Sequence, residues 1–334
     1  MAHVKKIGVA GFRGYSGADL VSLLEHHPGV EVFLMEHRAD AADRPAARSA
    51  KRYPRIPCTA DAVRAEALDC VLMATPHEVS LELAPHFLDA GAKVIDLSAA
   101  YRLTPADFKR WYKEEHPQPG LLAEAAYGLP EFYRERIKPA RLVANPGCYP
   151  TAANLALRPL VRANLIDRSA GVICDAKSGV SGAGRKPSLK SSFCEVTENF
   201  SAYALLDHRH VPEVLRNSGL ADDEFHFTAQ LLPLHRGILE TIYFKLTEDR
   251  SAADLVKLYE EAYAGEPFVR LYDPGQVPDL AAVARTNFCD IGVAVQGRRA
   301  VVVSAEDNLV KGAAGQAVQN LNLILGFAET EALL

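Results

Sequence analysis

The chain has 334 residues, a formal net charge of −5, 49% hydrophobic and 24% charged residues. That length suits two domains of roughly 150 residues each, and that usage supports a buried core and excludes a disordered chain. There is no basic surplus for nucleic acid, and no uncharged apolar run approaches the ~18–20 residues that span a bilayer.

From the N-terminus, Lys6–Ala10 reads as a short apolar strand. The apolar run Ile7–Phe12 meets Arg13 too early for a secretory core of roughly 7–15 residues. A helix is predicted over Ala18–His27, with Leu20, Leu23 and Leu24 on one face, and a second strand over Val30–Met35. Ala39–Pro57 is polar and proline-bearing, and is expected to be a surface loop. Cys70–Ala74, Val94–Leu97 and Leu142–Ala144 read as buried strands, with a helix over Glu78–Ala90. Continuous apolar strands alternating with helices predict a parallel, doubly wound sheet. After Pro150 the pattern changes. A helix over Thr151–Asn164 is followed by longer strands at Gly171–Lys177, Phe225–Leu232, Ile238–Leu246, Asp290–Gln296 and Ala300–Ala305. The last two flank Gly297 as a hairpin. This half is expected to be α+β with a mainly antiparallel sheet, and Asn308–Leu325 a closing helix. The two halves therefore read as a doubly wound α/β domain followed by an α+β domain.

Gly11-Phe-Arg-Gly14-Tyr15-Ser16-Gly17 follows a strand and opens a helix. That context lets backbone amides approach a pyrophosphate at a helix N-terminus. Two coenzyme cues conflict at the end of the second strand. Glu36 suits the ribose hydroxyls of NAD, and Arg38 the 2′-phosphate of NADP; the reading favours Arg38 and NADP(H). Six cysteines, Cys58, Cys70, Cys148, Cys174, Cys194 and Cys289, form no CxxC pair. Neither a disulfide framework nor a metal site is expected, and reduced thiols fit the cytoplasm. Within Asn145-Pro-Gly-Cys148-Tyr-Pro-Thr151, Cys148 falls at a helix start, where the helix dipole favours thiolate, with Pro150 suited to the first turn. The chemistry then needs a proton carrier, and His208-Arg-His210-Val-Pro-Glu213 offers two. His210 is expected to be the acid–base, oriented by Glu213 one turn on, with His208 pointing to the opposite side of an extended turn. Ser178-Gly179, and the loop on to Arg185, could hold phosphate or the nicotinamide ribose. Ser98 and Arg102 follow a strand at the carboxyl edge of the sheet, and Arg102 and Arg236 have the fork that fits anionic substrate groups.

Together these segments resemble the N-acetyl-γ-glutamyl-phosphate reductase family. The resemblance rests on Gly11–Gly17, Ala74-Thr75-Pro76-His77, Ile95–Ser98, Tyr127–Glu131, Asn145–Thr151, Ser178–Arg185, His208–Glu213, Arg236-Gly-Ile and Asp307–Gln316, in order through nearly the whole chain. Phe12-Arg13 departs from the small pair expected in the glycine loop. The resemblance implies a fold like the glyceraldehyde-phosphate and aspartate-semialdehyde dehydrogenases. Residues 1–147 with 307–334 would form an α/β Rossmann dinucleotide-binding domain for NADP, and 148–306 an α+β catalytic and oligomerisation domain. It implies NADPH-dependent reduction of the acyl phosphate through a Cys148 thioester. Gly11, Gly14, Tyr15, Ser16, Gly17, Arg38, Thr75, Pro76, His77, Ser178, Gly179 and Asn308 would lie at the coenzyme, and Ser98, Arg102, Asn145, Arg185 and Arg236 at the substrate. The partner is then a small-molecule acyl phosphate, not nucleic acid or membrane, and the chain a homodimer or homotetramer. Two alternatives stand beside this: an aminoadipyl-phosphate or carrier-linked reductase with one more methylene, which a pocket separates by only ~1–3 kcal/mol, and a non-catalytic nicotinamide-binding regulator.

Overall fold

A computed structural model describes residues 4–37 and 52–334. The chain divides into two compact units, Met1–Pro146 with Ala313–Leu334, and Gly147–Gly312. The return to the first unit thus falls six residues beyond the expected 306/307 boundary. Among the described residues no helix is long and apolar enough to cross a membrane.

The first unit is built on a parallel sheet of seven strands: β1 (Lys5–Ala10), β2 (Val30–Glu36), β3 (Arg55–Pro57), β4 (Cys70–Met73), β5 (Lys93–Asp96), β6 (Ala126–Tyr127) and β7 (Leu142–Ala144). Their order is β3-β2-β1-β4-β5-β7-β6. Every pairing is parallel. On one face Leu20 and Leu24 of the helix Tyr15–Glu25 pack with Ala317, Val318 and Leu321 of the helix Gly315–Leu325. On the other, Val63, Ala84, Phe87 and Leu88 seal the core. Both faces are covered, which is why β1, β4 and β5 read as unbroken apolar runs. The expected surface loop Ala39–Pro57 needs correction at its end. Arg55–Pro57 is an edge strand pairing Ile56 with Met35. Three residues, Arg55–Pro57, are too few to show a period. Arg38 lies outside the described residues.

The strand order reverses between β1 and β4, the switch point at which open α/β sheets bind ligands. The glycine loop sits there, at the carboxyl end of β1. A Cβ on Gly11, whose φ is +77°, would lie 2.2 Å from the Ala74 carbonyl oxygen, and one on Gly17 2.2 Å from that of Gly11. Only glycine closes this turn.

The second unit holds a mixed sheet: β8 (Val172–Gly179), β9 (Ser201–Tyr203), β10 (Phe225–Leu232), β11 (Ile238–Lys245), β12 (Val269–Leu271), β13 (Cys289–Gln296) and β14 (Arg299–Glu306). The order is β12-β13-β14-β11-β8-β10-β9, with β8/β10 and β12/β13 parallel and the remaining pairs antiparallel. The hairpin turns at Gly297, where Gln296 faces Arg299. Alternation runs the length of β11 and along β8 and β10 until their last two residues. Val172, Cys174, Phe225, Phe227, Ile238 and Ile242 face the core, while Ile173, His226 and Tyr243 face outward.

The helix Cys148–Arg162 lies in that core, buried at every position from Tyr149 to Val161. Pro159 inside it lacks the N–H that would bond the carbonyl of Leu155. The hydroxyl of Tyr263 donates to that carbonyl instead, and Tyr259 donates to the next one, of Ala156. The expected helix Asn308–Leu325 begins differently: Val310–Ala314 winds as a π-helical turn before the α-helix Gly315–Leu325. Gly17→Ala should therefore cost about 1–3 kcal/mol of stability through overpacking at the β1 turn. Chemical denaturation checks this; an unchanged midpoint would mean the loop has slack.

Candidate active site

Cys148 is the first residue of its helix, after Gly147 at the N-cap, which offers no side-chain cap. The neighbouring amide is instead held from afar. Oε1 of Glu213 accepts the Gly147 N–H at 2.7 Å, from a side chain only 2% exposed. Glu213 lies in the first turn of the helix Val211–Ser218, which carries Pro212 at its start, as the spacing predicted. Asn217 donates to the Glu213 carbonyl. Glu213 was expected to orient His210; the contact seen here is to the chain bearing the cysteine.

Among the six thiols, burial separates the candidates. Burial pushes the Cys58 thiol up to about 12, and raises Cys70, Cys174 and Cys289 as well. Those four are locked in the protonated form. Cys148 is half-buried, and Cys194 is exposed on the short helix Phe193–Val196.

The two histidines do not diverge. The His210 N–H donates to Nδ1 of His208 at 3.2 Å, so the chain is turned rather than extended. The rings meet edge to face with centroids 4.9 Å apart, and both stack edgewise on Tyr149, at 5.5 Å for His208 and 5.9 Å for His210. His208 also packs on Tyr203 and Phe227. Burial first, and the adjacent Arg209 charge second, lower the His208 pKa to about 4. The acceptor role of its Nδ1 agrees with a neutral ring. The Tyr149 hydroxyl, 3.2 Å from that of Tyr203, donates to the carbonyl of Gln230. Burial holds both phenols protonated, Tyr203 up to about 12. Tyr203 was not foreseen, because β9 is three residues long and carries no pattern.

A second cluster in the same unit joins three separated segments. Val180 and Ser181 donate their N–H groups to the carbonyls of Leu234 and His235, and Gly179 donates to Gly237. A Cβ on Gly179 would lie 2.8 Å from the Arg236 nitrogen. Asn308 spans the junction, accepting the Gly237 N–H at 2.8 Å and donating to the Ser181 hydroxyl at 3.0 Å. Arg236 meets the buried carboxylate of Asp307 at 3.3 Å. That carboxylate also accepts the N–H groups of Leu309 and Arg285. Ser178, Gly179, Arg236 and Asn308 are thus brought together, and Asp307 joins them. The cysteine borders the same turn: a Cβ on Gly312 would lie 2.7 Å from that of Cys148 and 2.8 Å from a Glu306 carboxylate oxygen. Arg185 stands exposed on the loop after Gly184.

In the first unit the expected residues part company. Gly14, Tyr15, Ser16 and Gly17 open the helix, which has no side-chain cap and no acidic residue in its first turn. Such an end fits a coenzyme pyrophosphate. Pro76 caps the helix His77–Asp89, the Thr75 hydroxyl meets that of Ser80 at 2.8 Å, and His77 lies near Glu78, Glu114 and Tyr112. Ser98, Arg102 and Asn145, expected at the substrate, are turned inward. Ser98 donates to Asp96 at 2.7 Å and accepts from Ala100. Arg102, 6% exposed, donates to the carbonyls of Asn145 and Leu97, both at 2.7 Å. Asn145 donates to the Ala313 carbonyl and accepts from Asn320. The Arg102 fork ties the ends of two strands together, a contact that an arginine's position in the sequence does not disclose.

The class follows from comparison with known proteins. The semialdehyde dehydrogenase NAD-binding domain family matches residues 6–140, and the semialdehyde dehydrogenase dimerisation domain family matches residues 148–308. The fold is that of aspartate-semialdehyde dehydrogenase II from Vibrio cholerae, with a TM-score of 0.74, 16% identity, and coverage of 97% of this chain and 99% of that one. It is also that of the aspartate-semialdehyde dehydrogenase from Candida albicans, solved with NADP, at a TM-score of 0.69. At higher identity the relatives agree on one name. N-acetyl-gamma-glutamyl-phosphate reductase of Geobacter metallireducens is 48% identical over 98% of this chain and 97% of its own, and that of Escherichia coli O157:H7 is 43% identical over 98% of each. The chain belongs to the N-acetyl-γ-glutamyl-phosphate reductase family.

The buried His208 gives a pH signature. Its folded pKa of about 4 lies below the ordinary 6.5, so the unfolded chain binds the proton more readily. Stability should be fully present above pH 6.5 and fall as pH drops toward 4. His208→Gln should flatten that slope in unfolding midpoints measured across the window. An identical slope in the variant would assign it to other groups.

Proposed function

We propose that the chain reduces N-acetyl-γ-glutamyl phosphate to the semialdehyde and phosphate with NADPH, in arginine biosynthesis, through a thioester on Cys148. The observation that carries the mechanism is the half-buried Cys148 at the start of a 15-residue helix, beside a Glu213-held amide and two packed histidines. The positive end of the helix stabilises charge on the sulfur. The thiolate attacks the acyl carbon and phosphate leaves with the bonding pair. NADPH, when bound, supplies the hydride that reduces the thioester. The resulting thiohemiacetal oxyanion re-forms a C=O bond and expels the thiolate, giving the aldehyde. Glu213 fixes the Gly147 amide in place. His208, held neutral, is a poor proton carrier near pH 7, which supports His210 as the acid–base at the carbonyl oxygen. Arg236 and the Ser178–Gly179 loop suit the anionic substrate groups and coenzyme ribose.

The names of the relatives favour the glutamyl substrate over its aminoadipyl homologue. The dimerisation-domain match, with Ile173 and Tyr243 exposed on the open sheet face, supports a homodimer through that face. Six cysteines, none in a disulfide, suit the reducing cytoplasm.

The reverse assay, semialdehyde with phosphate and NADP, tests the activity by NADPH absorbance. Cys148→Ala should abolish turnover while NADPH binding persists; substantial residual turnover would sink the thioester. Between the histidines, His210→Asn should slow turnover by ~10²–10⁴-fold and remove one limb of the pH–rate profile. The same loss in His208→Asn, with His210→Asn mild, would reverse the assignment.

A further inference from the structure

The glycine loop, the end of β2 and the edge strand β3 converge on one charged group that the reductase reading leaves unassigned. Arg13 donates to Oε1 of Glu36 at 2.9 Å, and Arg55 donates to the same oxygen at 3.1 Å. Both guanidiniums lie over the Phe12 ring, 4.5 Å and 5.7 Å from its centroid. The side chains remain reachable, at 19% exposure for Arg13, 38% for Glu36 and 43% for Arg55. Each residue arrives from a different element: Arg13 from the turn after β1, Glu36 from the last position of β2, Arg55 from the first of β3.

In a dinucleotide fold the end of the second strand is where the adenosine ribose is read. A carboxylate there ordinarily takes the 2′- and 3′-hydroxyls and repels a 2′-phosphate. Here its Oε1 is engaged by two arginines, which bring cations to the place where a lone carboxylate would repel the phosphate. A guanidinium has five donors in a planar fork, enough to hold a carboxylate on one edge and a phosphate on another. Phe12 supports both planes, which limits the rotamers they lose on binding.

We infer that Arg13 and Arg55, aligned by Glu36 and Phe12, read the 2′-phosphate of NADPH and set the coenzyme preference of this chain. The inference rests on the reductase reading and names the residues that choose its coenzyme. Phe12 and Arg13 are the pair at which the glycine loop departs from the small residues expected there, so the departure acquires a purpose. The acidic residue at the strand end becomes a scaffold for cations.

Calorimetric titration of the whole protein with NADPH, NADH, 2′,5′-ADP and 5′-ADP tests this. Arg13→Ala and Arg55→Ala should each weaken NADPH and 2′,5′-ADP by about tenfold or more, the loss of a charge-assisted contact. NADH and 5′-ADP should stay within about twofold, which also shows that the variants are folded. Equal losses for both kinds of ligand, or an unchanged preference in the double variant, would overturn the inference. So would a preference that vanishes in Arg38→Ala alone. Glu36→Gln should leave NADH binding unaltered; a selective loss of NADH would make Glu36 a reader of the ribose diol and overturn the scaffold role. If the parent binds neither NADPH nor NADH, the reductase reading itself fails; if it prefers NADPH and the arginine variants keep that preference, only this inference does.

Discussion

The second unit is organised by a helix that has no solvent face. From Tyr149 to Val161 every residue of Cys148–Arg162 is buried, so its backbone groups must find protein partners or lie at an end. Tyr263 and Tyr259 satisfy the carbonyls around Pro159 from one side, and Ser304 donates to the carbonyl of Ala152 from the sheet. What remains is the N-terminus, where amides point outward with no side-chain cap. Cys148 is the first residue at that end, and it is half-buried where the thirteen residues after it are buried.

This arrangement makes Glu213 more informative than a catalytic-triad analogy suggests. A buried carboxylate that accepts a backbone N–H next to the cysteine is a geometric restraint. The histidines gain different surroundings from packing in the same way. One ring is enclosed by Tyr149, Tyr203 and Phe227 and driven to the neutral form. The other is the first residue before a helix, set by Pro212. Two chemically identical side chains two residues apart are thereby made unequal by their neighbours alone.

Much of this was legible from residue order. Apolar runs gave the parallel sheet, the Gly11–Gly17 spacing gave the turn at the switch point, and Asn145–Thr151 gave the helix-start cysteine. What was not legible depends on contacts in space. The Arg102 fork holds the carbonyls of Asn145 and Leu97, and Asn145 accepts from Asn320. The opposite orientation of His208 and His210 assumed an extended chain, whereas the His208 ring bonds the backbone of His210. β3 and β9, at three residues each, are too short for periodicity, and both bring residues that matter, Arg55 and Tyr203. Asp307 was visible only as part of a motif, because its role depends on Arg236, Arg285 and Leu309 meeting it in space.

The π-helical turn explains why the precision of the site depends on glycine. Val310–Ala314 is wound wider than an α-helix, a form that is costly and concentrated where function requires it. Its amide at Gly312 returns to the carbonyl of Asp307 at 2.9 Å, closing a loop whose Asn308 grips Gly237 and Ser181. At the far side of that loop Gly312 presses against Cys148 so closely that a single methyl group would displace either the cysteine or the Glu306 carboxylate. Gly179 does the same against Arg236. The cysteine and the arginine are therefore joined by the close approaches at Gly312 and Gly179 together with the side-chain bonds of Asn308 and Asp307, and close packing of this kind is what holds the groups of a site to within a fraction of an ångström.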